Sequence, residues 1–146
     1  MEICTTGTSG ISAERFFFQL KASNISSIID TRLHPRSQLA GFAKQDSLKY
    51  FSKQILAIPY FHELLLCPEE LDLKAFRNKK INWDMYEHNY INLLMKRDLV
   101  NSLNLSEWGE RPVLLCSEES PEFCHRRLAA DFLLTHFNQV IEIKHL

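Results

Sequence analysis

Short apolar runs alternate along this chain with longer segments in which apolar residues recur every three or four positions. Ile3-Cys4-Thr5-Thr6 reads as a strand that stops at Gly7-Thr8-Ser9-Gly10. Ser12 then offers an N-cap oxygen, and Phe16, Phe17 and Leu20 give the next segment, to about Ser23, one apolar stripe. Ile25 to Ile29 is apolar and β-branched, a buried strand that ends on Asp30-Thr31-Arg32. A loop with Pro, Ser and Gly follows from Leu33 to Gly41. A helix is predicted from near Ala43 or Asp46, where Leu48, Phe51, Ile55 and Leu56 recur at helical spacing. Ala57 to Phe61 reads as a short strand, confined by Pro59 to an edge or a bend. Cys67 to Lys80 is poorly patterned, with room for one short helix. One long helix is expected from Trp83 to Leu103, with Tyr86, Tyr90, Leu93, Leu94 and Val100 as its stripe. Val113 to Cys116 is the next strand. Ser120-Pro121 is expected to open a last helix that runs to about Phe137, and Val140 to Ile143 closes the chain as a strand.

This alternation predicts one α/β domain over residues 1–146, in three layers, with about five mostly parallel strands. In such sheets ligands sit beyond the carboxyl ends of the strands. Four segments are expected to end there on polar or reactive groups: Thr6-Gly7-Thr8, Asp30-Thr31-Arg32, Tyr60 and Cys116-Ser117-Glu118.

The bulk numbers narrow the partners. A chain of 146 residues with 45% hydrophobic residues can bury a core without disulfides or metal staples. The formal net charge of -1 lacks the overall footprint of a basic nucleic-acid binder, although a local basic patch is compatible with it. The first residues carry no basic segment before an apolar run, so no secretory signal is read, and no run is long enough to span a membrane. The default compartment is the cytoplasm, where Cys4, Cys67, Cys116 and Cys124 are expected as thiols. No Walker loop and no G-x-G-x-x-G is present.

The chemistry concentrates in residues 113–127, where two thiols, an imidazole and two guanidiniums stand close together. Cys116 at the end of a strand would face the N-terminus of the last helix, whose free N–H groups stabilise a thiolate. It reads either as a nucleophile or ligand, or as a packed core cysteine. Cys124 and His125 fall on the helix's inward face, Cys124 as a candidate substrate contact and His125 as a proton carrier. An inward imidazole needs a partner, and Glu118 or Asp30 is expected to supply it. Arg126 at the helix rim and Arg32, next to Asp30, are expected to clamp an anion. Arg36 and Ser37 lie in a loop able to close over a ligand, and Tyr60 completes the candidate substrate contacts. Arg127 can pair with Asp131 one turn on. Cys116, Cys124 and His125 could also converge on zinc. Their spacing contains no C-x-x-C, so neither a metal nor a cofactor is expected. A phosphatase or rhodanese loop is excluded, since Glu122 stands where its Arg would be.

These residues resemble a known pattern, that of the bacterial and archaeal family called domain of unknown function 488. The matching positions are Thr5 or Thr6 with Gly7, Asp30-Thr31-Arg32, Pro35-Arg36-Ser37, Phe42, Tyr60, Leu115-Cys116-Ser117-Glu118, Cys124-His125-Arg126 and His145. The paired C-x-E and C-H-R motifs are the specific part. The chain departs from the pattern at Thr8 and at Leu65-Leu66-Cys67, where the family often has Leu-Gly-Gly. The resemblance implies the fold and a site at these residues, and no settled reaction. Two functions follow from the residues: an enzyme acting on a small anion, nucleotide or nucleic-acid end, or a non-catalytic module that binds phosphate or nucleic acid.

Overall fold

The structure is a computed structural model that describes residues 1–146. Its five strands are β1 (Glu2–Gly7), β2 (Ser27–Asp30), β3 (Tyr60–His62), β4 (Pro112–Cys116) and β5 (Glu142–His145). They form one sheet in the order β3-β2-β4-β1-β5, and every neighbouring pair is parallel. The helices are α1 (Ala13–Ala22), α2 (Gln45–Phe51), α3 (Glu70–Arg77), α4 (Trp83–Lys96), α5 (Leu99–Ser102) and α6 (His125–His136). No helix is long and apolar enough to cross a membrane.

Strand alternation sorts the apolar side chains into two cores. On one face Cys4, Ile28, Val113 and Leu115 meet Phe16, Phe17 and Leu20 of α1 and Leu48 of α2. On the other, Ile3, Ile29 and Leu114 meet Tyr90 and Leu94 of α4 and Leu128, Ala129, Phe132 and Leu133 of α6. Ser12 caps α1 as expected, its Oγ accepting from the Arg15 N–H at 3.2 Å.

The connections position the site. After β2 the chain turns outward through α2 to the edge strand β3. After β4 it leaves over the opposite face through α6 to β5 at the other edge. β2 and β4 are neighbours whose continuations diverge, and a crevice opens between their carboxyl ends. Asp30 ends one strand and Cys116 the other.

Four boundaries differ from the sequence reading. The long helix breaks at Asp98, which adopts φ +50°, and α5 restarts at Leu99 so that this residue enters the core. Arg97 at that break donates to the carbonyls of Leu65 (2.8 Å) and Cys67 (2.6 Å), ties that a continuous helix would not direct there. The last helix begins at His125 rather than Pro121, with Cys124 as an extended N-cap residue. The carbonyls of Glu118 and Glu119 are drawn toward the Arg126 guanidinium, so residues 119–123 turn instead of coiling. β5 runs two residues later than expected, because Thr5 pairs with His145 and Glu2 with Glu142. Tyr60 opens β3 rather than closing it, opposite Ile28.

Phe16 is fully buried, whereas Phe18 on the same helix is 72% exposed. Phe16→Ala should therefore cost about 3–5 kcal/mol. Phe18→Ala should stay within about 0.5 kcal/mol of the parent. Urea denaturation of both variants checks the assignment of this face.

Candidate active site at the carboxyl ends of β2 and β4

Leu114 and Cys116 are two positions apart, so Cys116 faces α6, as does Thr31 beyond Ile29 on β2. His125, the first residue of α6, lies over both. Its Nε2 is 2.9 Å from the Thr31 carbonyl and 3.0 Å from Thr31 Oγ1. A carbonyl only accepts, so Nε2 carries the proton and Nδ1 is left to face Cys116 Sγ, 3.7 Å away. The Thr31 hydroxyl in turn donates to the Leu115 carbonyl at 2.9 Å. The imidazole is thus oriented by backbone, with Thr31 as the residue that orients it.

The surroundings favour a thiolate at Cys116. A hydrogen bond from the Cys124 thiol, the charge of His125, and the Glu118 N–H together outweigh burial and hold Cys116 well below the usual thiol range. Burial lowers the pKa of His125, but the adjoining Cys116 thiolate overrides it and raises the value above the ordinary one. Donating to Cys116, together with burial, pushes the Cys124 thiol up. Burial takes Cys4 to about 11 and Cys67 to about 12.

Asp30 and Arg32 form a closed unit. The Asp30 carboxylate accepts from Arg32 Nε (2.8 Å), Arg32 Nη2 (2.6 Å), the Arg32 backbone N–H (3.0 Å) and the Tyr60 hydroxyl (2.5 Å). That saturation leaves Asp30 no role as a base. Burial and the Asp30 charge push the Tyr60 phenol far up, so it stays a neutral donor. Arg32 Nη1 is buried without a partner, in a residue that lines the cavity beside Cys116. The Arg32 carbonyl is met by His62 Nε2 at 2.9 Å and by the Cys67 thiol at 3.4 Å.

The cavity measures about 530 Å³ and reaches Cys116, Cys124, His125 and Arg32 at its base. Phe76, Tyr86 and Phe123 form an aromatic wall, and His34, Ser37, Gln38 and Arg77 border the opening. Gln38 accepts from the Ser117 hydroxyl at 2.9 Å and donates to the His34 carbonyl at 2.8 Å, joining the two loops that flank it.

Several expected roles change. Arg126 is 1% exposed and lies away from the cavity. Its guanidinium donates to the carbonyls of Glu118 (2.5 Å) and Glu119 (2.9 Å) and approaches Cys124 Sγ at 3.4 Å. It staples the loop after β4 to α6 and is not an anion clamp at the rim. The Glu118 side chain is exposed and does not bond His125; its backbone, not its carboxylate, serves the site. Arg36 is exposed and spent on Gln45 at 3.1 Å, outside the cavity. Asp30 and Tyr60 also lie behind the cavity wall rather than in it. Arg127 meets Asp131 at 3.3 Å.

Thr31, His62, Arg77 and the aromatic wall escaped the sequence reading. Thr31 was legible in principle, because period two sends it opposite to Asp30 and Arg32, toward the last helix. Nothing local marks Arg77 or Phe76. Gly7 has a clearer cause: a side-chain carbon there would overlap the Glu118 carbonyl, so the loop after β4 folds over β1 only because Gly7 has none. Thr8 and Ser9 continue that contact, donating to the carbonyls of Cys116 (3.2 Å) and Ser117 (3.0 Å).

Cys116, Cys124 and His125 also offer three soft donor atoms within 4.8 Å of one another, a set able to hold a zinc-like ion with one position left open. The profile of the family described as domain of unknown function DUF488 matches residues 12–133, which contain all of these groups. The chain belongs to that family. No curated protein and no solved structure shows a significant match to it. The family description assigns no reaction, so the chemistry must be argued from the site itself.

Two substitutions test the architecture. Arg126→Met leaves two loop carbonyls without their donor and should cost about 2–5 kcal/mol. His125→Ala removes the partner of the Thr31 carbonyl and of Cys116 and should cost roughly 1–3 kcal/mol. Denaturant midpoints should rank Arg126→Met as the less stable; the reverse order would remove the staple.

Proposed function

We propose that this protein is an enzyme that attacks a small anionic substrate, up to the size of a nucleotide or the end of a nucleic acid, with the Cys116 thiolate. One observation carries the reading. Cys116 and an imidazole with a fixed tautomer meet at the base of a cavity, with a buried, unpartnered guanidinium nitrogen of Arg32 in the same wall. About 530 Å³ lies in the range of small-molecule sites. The aromatic wall suits a planar ring, and Arg32 and Arg77 suit negative charge.

The resting state is a thiolate–imidazolium pair. Sγ forms a bond to the electrophilic atom as the bond to the leaving group breaks, and His125 Nδ1 gives that group its proton. The neutral Nδ1 then takes a proton from an incoming water or other acceptor, whose oxygen displaces Sγ and restores the thiolate. Nε2 keeps its proton and its bond to Thr31 throughout. Arg32 Nη1 is free to meet the substrate's anionic group, since Nε and Nη2 are held by Asp30. A module that only binds would use the same Arg32 and leave Cys116 unreactive.

Alkylation separates these readings. A depressed thiol stays ionised as pH falls until its own pKa is passed, while Cys4 and Cys67, both raised, are protonated throughout the neutral range. At about pH 6, iodoacetate should modify Cys116 at least ~10-fold faster than Cys4 or Cys67. Its carboxylate should make it outpace neutral iodoacetamide at Cys116, and phosphate or a nucleoside monophosphate should protect. His125→Ala should move the Cys116 profile to higher pH. A Cys116 no faster than Cys67 would rule out the nucleophile.

A further inference from the structure

Cys116 has a second sulfur beside it that nucleophilic chemistry does not require. Cys124 lines the same cavity, is 2% exposed, and lies with its Sγ within 4.8 Å of Cys116 Sγ. The other two thiols are placed differently. Cys4 packs in the core on the opposite face of the sheet, 3.5 Å from Glu2 Oε1. Cys67 donates to the Arg32 carbonyl. We propose that Cys116 and Cys124 form a redox couple in which a hydroperoxide oxidises Cys116 and Cys124 resolves it as an intramolecular disulfide.

The placement fits both steps. Cys116 is held at the end of a central strand, between the sheet and α6, at the base of the cavity. Cys124 is the extended N-cap residue of α6, at the end of the turn that leads from β4. Its backbone is outside the helix, so its side chain can reorient to bring the sulfurs to the roughly 2.05 Å of a disulfide. Cys116 has His125 Nδ1 at 3.7 Å, placed to protonate a departing oxygen, while Cys124 lies on the turn that can bring it in second. The more reactive sulfur and the one that must wait are thereby distinguished.

The steps balance. Cys116 S⁻ attacks one peroxide oxygen, the O–O bond breaks, and the departing alkoxide takes the Nδ1 proton of His125. The products are a sulfenic acid and an alcohol, or water from hydrogen peroxide; sulfur loses two electrons and the peroxide gains them. Cys124 then passes its proton to neutral Nδ1 and its sulfur attacks Cys116 Sγ. Hydroxide leaves, recovers that proton from His125 and becomes water. The sum is two thiols and one hydroperoxide giving one disulfide, one alcohol and one water. Two equivalents of a reducing thiol restore the couple through a mixed disulfide. In the oxidised form His125 has lost its anionic partner and Cys116 cannot attack a substrate.

This inference rests on the reading of Cys116 as a thiolate, and on nothing about the substrate. The test treats the reduced full-length protein with one equivalent of hydrogen peroxide, followed by non-reducing peptide mapping. The expected result is a loss of two hydrogens, a Cys116–Cys124 cross-link, and full reversal by dithiothreitol. Cys124→Ser, with Cys124→Ala as a second variant, should stop at a sulfenic acid that dimedone traps on Cys116. Cys116→Ser should give neither product. Cys116 passing to sulfinic acid while Cys124 stays free overturns the couple, as does a disulfide between two chains. Purified protein whose two thiols react only after stoichiometric zinc is chelated overturns it as well. Alkylation of the same samples separates the failures. A fast Cys116 that forms no cross-link removes the redox couple alone, and a slow Cys116 removes the nucleophile and the couple together.

Discussion

A buried guanidinium with no carboxylate partner holds this site in shape. Arg126 is 1% exposed, and its hydrogen bonds run to two loop carbonyls and a cysteine sulfur. Moving a full charge into such a place is expensive unless other groups share it. The carbonyl dipoles meet part of that cost, and the polarisable Cys124 sulfur at 3.4 Å meets more. The arrangement is self-consistent. Arg126 shapes the turn that carries Cys124, the turn brings Cys124 and the Glu118 N–H onto Cys116, and the resulting thiolate places negative charge beside the buried His125 and Arg32. Three backbone carbonyls, those of Thr31, Glu118 and Glu119, do the orienting that carboxylates perform in many other sites.

That reliance on backbone explains what could be read from the sequence and what could not. The alternation of elements, the α/β class and the grouping at the strand ends follow from periodicity, which records which face of an element is dry. The D-x-R and C-x-E…C-H-R residues were legible as a cluster for the same reason. Their individual roles were not. Glu118 looked like a partner for His125 because a carboxylate is the obvious acceptor in a string of letters, whereas every residue has a carbonyl and no letter shows it. A helix that starts at Pro121, as the sequence suggests, puts Arg126 at the rim. Moving that start to His125 turns Arg126 inward, under the loop. An edge strand of three residues has too few alternations to set its register, so the sequence does not show that Tyr60 opens β3.

The two halves of the site also differ in how they are stabilised. Around Asp30 every acceptor is used and the unit is inert, a rigid bracket that presents one remaining guanidinium nitrogen. Around Cys116 the contacts are long and polarisable: sulfur to nitrogen at 3.7 Å, sulfur near sulfur, nitrogen to sulfur at 3.4 Å. Soft contacts of this kind let a proton or a bond move without a rearrangement of the fold. The bracket supplies position and the sulfur cluster supplies change.

The division of the apolar core by the sheet has a consequence for how this protein can vary. Every thiol and imidazole of the Cys116 cluster lies with α6, while α1 and α2 pack on the other side against Cys4, Ile28, Val113 and Leu115. The α1 side therefore acts as ballast. Away from the Asp30–Arg32–Tyr60 unit, substitutions there are filtered by volume and hydrophobicity. The α6 side is filtered by chemistry, and Gly7 extends that stricter filter onto β1, a strand that contributes no group to the cavity. Drift across relatives should be lopsided, with one skin of the molecule nearly frozen and the other free to change its composition while the sheet between them keeps its register.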